Sequence, residues 1–484
     1  AIRDAGRAMG FSYGLGDQIA KLIPPALNLG ASLKHVAELS QLYKDNSDAK
    51  KLIDAARHLE GVARHASVHA CGLVIAPEPL TNFVPLQKAP QNEDIIITQF
   101  EMHSIEDLGL LKMDFLGLRN LTIIEETLKL IRDEKNEFLK ISEIPLDDEK
   151  AFNILKEGET TGVFQLESSG MRHYLKELKP TEFEDIIAMV ALYRPGPMEL
   201  IPQYIKRKYG KEKVSYIHPK LEPILKNTYG IGVYQEQMMR IARDLAGFTL
   251  AEADTLRKAI GKKIKELLNA QKEKLISGMI KNGIEEKIAK EIWELFPPFA
   301  KYGFNRSHAA CYALIAYQTA YLKARYPIEF ATSLFNADNG DVERISFLIG
   351  EVKKMGIAVL APDINKSFAN FAPEDKNIRF GLLAIKNVGG NIVSAIIEER
   401  QRGGPFENIA DFLNRVRHKD LNKKSLESLI KAGVLDSLDA DRGKLLANLE
   451  ELLRYSQGLK KDQSSQNGQN NLFGSNYSNH KLNL

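Results

Sequence analysis

Apolar and polar positions change their period twice along this chain. Residues 1 to about 60 read as short amphipathic helices with Gly/Pro breaks such as Leu22-Ile23-Pro24-Pro25; the clearest helix is Ala49–Leu59. From Gly61 to about Thr122 the repeat shortens to two, which predicts strands over Cys71–Ala76, Ile95–Phe100 and the segment after Leu110. In that last segment Leu111, Met113 and Phe115 alternate with Lys112 and Asp114. The alternation places the ammonium and the carboxylate side by side on one face, opposite the expected core. From Ile123 to about Phe368 the pattern is helical: Thr249-Leu250-Ala251-Glu252 is a capping box, and Asn305–His308 precedes a helix that stops at Tyr326-Pro327. Residues from about Arg379 to Asp439 form two smaller helical units, and from about Gln463 a Ser/Asn/Gln/Gly-rich tail is expected to be disordered.

With 484 residues, 44% of them hydrophobic, the chain can bury several cores and should form about three or four domains. No run approaches the ~20 apolar residues of a membrane span, and no N-terminal segment looks like a signal peptide. Cys71 and Cys311 are the only cysteines, so no disulfide framework is indicated and a cytoplasmic location fits. The chain opens at Ala1 inside a helical pattern, which reads as a piece of a longer protein. Net charge is only +3, but residues 201–275 carry 16 Lys/Arg against 8 Asp/Glu. A basic block in a near-neutral chain points to a polyanion partner; a solvated lysine-rich face is the plainer alternative.

An ionised carboxylate on so apolar a strand calls for compensation, so Asp114 is either a metal ligand or half of a surface ion pair with Lys112. Arg257, Lys258, Lys262 and Lys263 crowd about two turns of helix, an arrangement suited to a multiply charged anion such as a triphosphate. The run Lys301–His308, with Tyr302, Asn305 and His308, sets aromatic and polar groups at a helix N-terminus, where backbone amides favour anions. His65, His69 and Cys71 have spacing that mimics metal ligands, but no fourth ligand follows, and structural or phosphate-contacting histidines are the preferred reading. Lys386-Asn387-Val388-Gly389-Gly390 fits the turn of a helix–hairpin–helix, whose amides approach a DNA phosphate without reading sequence; Leu426–Leu438 resembles a degenerate second copy. Gln469-Asn470-Asn471-Leu472-Phe473 leaves two apolar side chains in a polar tail, available to a partner's pocket.

Several blocks occur in one order: Leu111–Thr122, Gly162–Met171, Leu192-Tyr193-Arg194-Pro195-Gly196-Pro197-Met198, Thr228–Ile231, Tyr234–Gln237, Tyr302–His308 and Tyr326–Phe330. Together they closely resemble the alpha subunits of bacterial DNA polymerase III, the family C replicative polymerases, over nearly the whole chain. The resemblance implies a mainly α, multidomain architecture with a small mixed α/β palm: an incomplete nucleotidyltransferase palm similar to that of polymerase beta. It implies a thumb at 1–60, the second part of the palm at 61–122, fingers at 123–375, a tandem helix–hairpin–helix and clamp-binding region at 376–462, and a tail at 463–484.

In that layout Asp114 matches the third catalytic, metal-binding aspartate and Lys112 the palm lysine beside the incoming nucleotide. Arg257 and Lys258 match a finger pair that is usually Arg-Arg; the lysine keeps charge but loses the bidentate fork. Lys262, Tyr302, Asn305 and His308 fall at the nucleotide site, Lys386, Asn387, Gly389 and Gly390 at DNA, and Gln469, Leu472 and Phe473 in the sliding-clamp motif. The implied chemistry is primer extension with two Mg²⁺ ions. Implied partners are primer–template DNA, deoxynucleoside triphosphates, the sliding clamp and other holoenzyme subunits, with no membrane. The family's paired Asp-x-Asp would lie upstream of Ala1, so the chain alone is expected to be inactive. The alternative is a non-catalytic DNA- and clamp-binding module.

Overall fold

The computed structural model describes residues 1–456 apart from 25–26, 63–64, 70, 91, 263–264 and 300–302; the side chains of 260–268 and 298 also lie outside the description. The chain divides into two compact units, Ala1–Gly117 and Leu118–Leu484. The architecture is mainly α with small sheets. No helix among the described residues is long and apolar enough to cross a membrane.

The first unit begins with four short helices, Ile2–Ala8, Tyr13–Lys21, Leu29–His35 and Ala37–Asp45, gathered on the longer helix Ser47–Leu59. That helix buries Ala49, Leu52, Ile53 and Ala56, the three-four spacing of a one-faced helix, against Ile2, Ile19, Leu29 and Leu39. Asn46 caps its start by accepting from the amides of Asp48 and Ala49. Four strands follow: β1 Gly72–Ile75, β2 Leu86–Ala89, β3 Asn92–Thr98 and β4 Leu111–Asp114. β1 pairs antiparallel with β4 in the register Gly72↔Asp114, Leu73↔Met113, Val74↔Lys112 and Ile75↔Leu111. β2 pairs with β3 as a separate sheet; β2 was not anticipated from the sequence.

The period-2 reading of β4 is right and its inside–outside assignment is reversed. Leu111 and Met113 share a face with Ile75 and Leu73, and all four are open to solvent at 55%, 41%, 42% and 53% exposure. The small core of Val84, Ile105 and Leu110 packs Val74, Lys112's cross-strand partner, on the other face. That core draws on the helix Met102–Asp107, which contacts β4, so Lys112 and Asp114 lie on the covered side of the sheet.

In the second unit the helix Arg306–Arg325 is the central rod. Its Ala309, Ala313, Ala316 and Ala320 present a small-residue face that lets Glu149–Glu157 and Phe183–Leu192 pack closely against it. Tyr317 is buried within that face and its hydroxyl accepts from the Asp148 amide at 2.8 Å and donates to the Pro145 carbonyl at 2.9 Å. A second core gathers Gln235–Ala246, Leu250–Lys262, Lys265–Lys281 and Glu286–Trp293. Between the helical cores and the C-terminal module lies a three-stranded sheet, β5 Val359–Leu360, β6 Ala372–Glu374 and β7 Asn377–Arg379, in the order β5-β7-β6. The C-terminal module has its own core of Ile392, Ile396, Phe412, Leu426, Leu429, Leu435 and others. The helix expected before its first glycine turn is a single 3₁₀ turn, Leu382–Ala384.

Candidate functional site

Three groups of predicted residues can be placed. The first is in the smaller unit. Lys112 Nζ donates to both oxygens of Asp114 at 2.8 Å, the two residues being separated by one position on β4. The Lys112 side chain is only 10% exposed while Asp114 is 49% exposed, so the ammonium is tucked against the sheet and the carboxylate opens to solvent. The hydrogen bond from Lys112 holds the Asp114 carboxyl below its ordinary range, and Asp114 in turn raises Lys112. The result is a carboxylate whose ionised form Lys112 favours and whose other side is open to solvent. His69 and Cys71 stand next to it, Cys71 beside the β1 end that pairs with Asp114. Their proximity to Asp114 was missed in the sequence because forty-odd residues separate them and only the β1–β4 register joins them.

The second group is in the larger unit. The Thr249/Glu252 capping box forms as expected, and the helix Leu250–Lys262 carries Arg257 and Lys258 onto one carboxylate, that of Asp254. Arg257 Nη2 lies 2.7 Å and Lys258 Nζ 2.9 Å from it. The two cations therefore do not simply repel one another; a carboxylate one turn earlier holds both, and they in turn keep its pKa low. Asp254 was the residue to look for, because charges three and four apart on a helix face each other. Lys262 ends the same helix, its side chain outside the described residues.

The N-terminus of Arg306–Arg325 is built by pairing Phe304 with Tyr234, through Gln235 N–H to Phe304 O at 2.8 Å and Phe304 N–H to Val233 O at 3.1 Å. Asn305 spends its side-chain oxygen on the cap, accepting from His308 N–H at 2.8 Å. His308 lies between Phe304, edge-on to it at a centroid distance of 5.3 Å, and Tyr312, tilted against it at 4.2 Å, and remains exposed. Arg194 lies over the Phe304 ring, 4.1 Å from its centroid. The sequence hinted at Arg194 through Arg194-Pro195-Gly196-Pro197, where Gly196 takes φ +101, a value that favours glycine. Tyr302 lies outside the described residues. Helix Gln235–Ala246 links these features: its first residue pairs with Phe304 and its body packs on Leu250–Lys262.

The third group is the glycine turn. Lys386 and Asn387 are exposed, Asn387 adopts φ +67, and Gly389 caps the helix Gly390–Gly403. A Cβ added to Gly389 or Gly390 would meet nothing within 4 Å, so the amides of this helix start are open to a ligand. Asn387 Nδ2 donates to Ser428 Oγ at 3.2 Å, tying the turn to the helix Lys423–Lys431. The second, degenerate turn is closed. Arg442 donates to the Lys431 carbonyl and pairs with Asp436, and its guanidinium fills the space beside Gly433. Gln469, Leu472 and Phe473 lie outside the described residues.

The helical architecture, the Lys–Asp pair on β4, the cation-bearing helix and the open glycine turn can be set beside known protein families. Residues 120–283 match the bacterial DNA polymerase III alpha subunit finger domain, residues 1–117 the bacterial DNA polymerase III alpha NTPase domain and residues 356–445 a helix-hairpin-helix motif. The chain belongs to the bacterial DNA polymerase III alpha-subunit family. It is 47% identical over 465 residues to DNA polymerase III subunit alpha of Thermus aquaticus, an alignment covering 94% of this chain and 38% of the relative. The corresponding subunits of Borreliella burgdorferi and Bacillus subtilis are each 46% identical, covering 98% and 94% of this chain and 41% of either relative. The chain thus spans about two fifths of the length of these relatives.

Proposed function

We propose that this chain is the thumb (1–60), second palm segment (61–122), fingers (123–375), tandem helix–hairpin–helix and clamp-binding region (376–462) and clamp-motif tail (463–484) of a replicative DNA-directed DNA polymerase that extends a primer 3′ end. The observation that carries the reading is the Lys112–Asp114 pair, a half-exposed carboxylate kept ionised on a strand inside a chain of this family. The carboxylate is a hard oxygen donor and fits Mg²⁺, with further oxygen ligands coming from outside this chain. Two such ions, when bound, supply activation of the primer hydroxyl and charge stabilisation of the leaving pyrophosphate.

The chain's own residues then have separate tasks. Asp114 presents its oxygens towards solvent, while Lys112, held against the sheet, supplies positive charge beside the reacting phosphates. Arg257 and Lys258 exchange Asp254 for the triphosphate when a nucleotide binds. The exposed His308 ring, with Phe304 edge-on to it, offers aromatic contact beside the helix N-terminus for the nucleotide. Lys386 and the amides at Gly389 and Gly390 hold the duplex by its phosphates. Gln469, Leu472 and Phe473 dock on the sliding clamp.

Primer extension by the full-length polymerase carrying this segment tests the reading. Asp114→Asn should abolish extension while DNA affinity stays unchanged. Wild-type protein that binds primer–template and adds no nucleotide with Mg²⁺ would leave a non-catalytic DNA- and clamp-binding module in its place.

A further inference from the structure

Asp114 has two neighbours that a magnesium site does not need. His69 Nδ1 lies 3.6 Å from Cys71 Sγ and 4.0 Å from Asp114 Oδ1, and the ligand atoms of the three residues fall within 4.8 Å of one another. In a tetrahedral zinc site with bonds of about 2.0–2.3 Å, ligand atoms sit about 3.3–3.7 Å apart, so His69 and Cys71 already have that spacing, His69 and Asp114 must close by a few tenths of an ångström, and the widest pair of the three by up to about 1 Å. It is the one His/Cys/Asp/Glu group of this kind among the described residues.

Two of the three ligands are fixed by the β1–β4 pairing. Gly72 pairs with Asp114 in the β1–β4 register, and Phe115 N–H donates to Cys71 O at 2.8 Å. Gly72 also keeps the space open: a Cβ there would lie 3.0 Å from His69 Nδ1 and 3.3 Å from Asp114 Oδ1. His69 and Asp114 are about half exposed, at 46% and 49%, so an ion can enter from solvent. At present His69 Nδ1 accepts the Gly72 amide at 2.8 Å and the Cys71 amide at 3.3 Å, and Lys112 occupies both Asp114 oxygens.

We propose that His69 Nδ1, Cys71 Sγ and the Asp114 carboxylate form a three-ligand site for a thiophilic divalent cation such as Zn²⁺, which takes Asp114 away from Mg²⁺. The thiol gives up its proton to solvent as the sulfur binds; imidazole gives its lone pair and one carboxylate oxygen follows, leaving the other oxygen to Lys112. Water fills the fourth position, as in open three-ligand zinc sites. The donor set sorts the metals: thiolate and imidazole select zinc-like ions, whereas Mg²⁺ takes oxygen only. The displaced Gly72 and Cys71 amides lie at an exposed position where water can replace the nitrogen. The binding claim stands on geometry alone; the claim that Zn²⁺ blocks synthesis rests on the proposed polymerase reading.

Co²⁺ reports the site directly. Titrating the reduced 484-residue chain with Co²⁺ should give a saturable one-to-one complex with a thiolate-to-cobalt charge-transfer band, which Zn²⁺ displaces. Cys71→Ser should remove the band. His69→Ala and Asp114→Asn should each weaken binding by more than about tenfold, the least that loss of even an outer partner costs. Cys311→Ser, at the only other cysteine, should change nothing. A band that survives Cys71→Ser, a band lost in Cys311→Ser, or no saturable binding by a chain with native circular dichroism overturns the site. In the full-length polymerase, Zn²⁺ should inhibit extension in competition with Mg²⁺, and Cys71→Ser should relieve that inhibition. Extension that survives Asp114→Asn while the cobalt band is present defeats the polymerase reading and leaves the metal site standing.

Discussion

Lys323 gives a prediction whose size can be worked from the structure. It sits on the central helix of the larger unit, 7% exposed, and its ammonium donates to the carbonyls of Glu159 at 2.6 Å and Thr161 at 3.0 Å. Burial pulls its pKa from 10.5 down to about 8, with Glu351 and Glu159 opposing the shift. Between those values the unfolded chain binds a proton that the folded chain does not, so stability rises with pH from about 8 to 10.5. The gap of about 2.5 pH units corresponds to about 3 kcal/mol, at about 1.4 kcal/mol per unit. Lys323→Met keeps an unbranched stem of similar length and removes the titrating group. It also strips two carbonyls of their donor, at about 1–3 kcal/mol each. Near pH 7 the relief of burying a charge and the loss of two hydrogen bonds nearly offset one another. By pH 10.5 the wild type, now holding a neutral amine, should lead the variant by about 3 kcal/mol more than at pH 7. Urea unfolding of both proteins across this range measures the difference, in which every other titrating group cancels. A wild-type lead that stays constant from pH 7 to 10.5 would refute the reasoning.

Three shorter predictions follow from contacts elsewhere. A Cβ at Gly278 would lie 2.3 Å from the Ala246 carbonyl oxygen, a backbone atom that cannot swing away; Gly278→Ala should therefore cost about 1–3 kcal/mol despite its better helix propensity, and an unchanged or raised Tm would contradict this. Lys386→Ala should weaken DNA binding equally on all sequences and reduce the slope of log affinity against log salt by about one, and an unaltered slope would remove Lys386 from the interface. In the full-length polymerase Asp254→Asn should lower KM for nucleotide with kcat unchanged, because Arg257 and Lys258 no longer have to leave a carboxylate. A raised KM would show instead that Asp254 aims them.

Local rules were legible wherever the determinant was local. The Thr249/Glu252 box and the stop at Tyr326-Pro327 depend on residues within a turn of one another, and the structure has both; the helix expected after His308 begins earlier, at Arg306, with Asn305 as its cap. The approximate β1, β3 and β4 strands also follow from period alone. Features set by distant partners were not legible. The closeness of His69 and Cys71 to Asp114 depends on β-strand register, and the stacking of Arg194 on Phe304 joins residues more than a hundred positions apart. The second glycine turn looked like a copy of the first because both carry glycine. Only the packing shows that Arg442 fills one turn and leaves the other open.

The reversed face of β4 has the same origin and changes how the Lys112–Asp114 pair should be understood. A two-residue period says which side chains travel together; it cannot say which side of the strand the rest of the chain will cover. The helix Met102–Asp107 and Val84 cover the side bearing the charges. Lys112 is consequently pressed into the sheet, where its long apolar stem is tolerated and its ammonium reaches the Asp114 carboxylate. Had the pair stood on an open face, each charge would have been solvated separately, and the lysine would have had little hold on the aspartate. Confinement of the lysine keeps Asp114 ionised and oriented while leaving it half exposed. A carboxylate held this way can be shared between a fixed internal cation and an arriving one, which is the property that either metal reading of Asp114 requires.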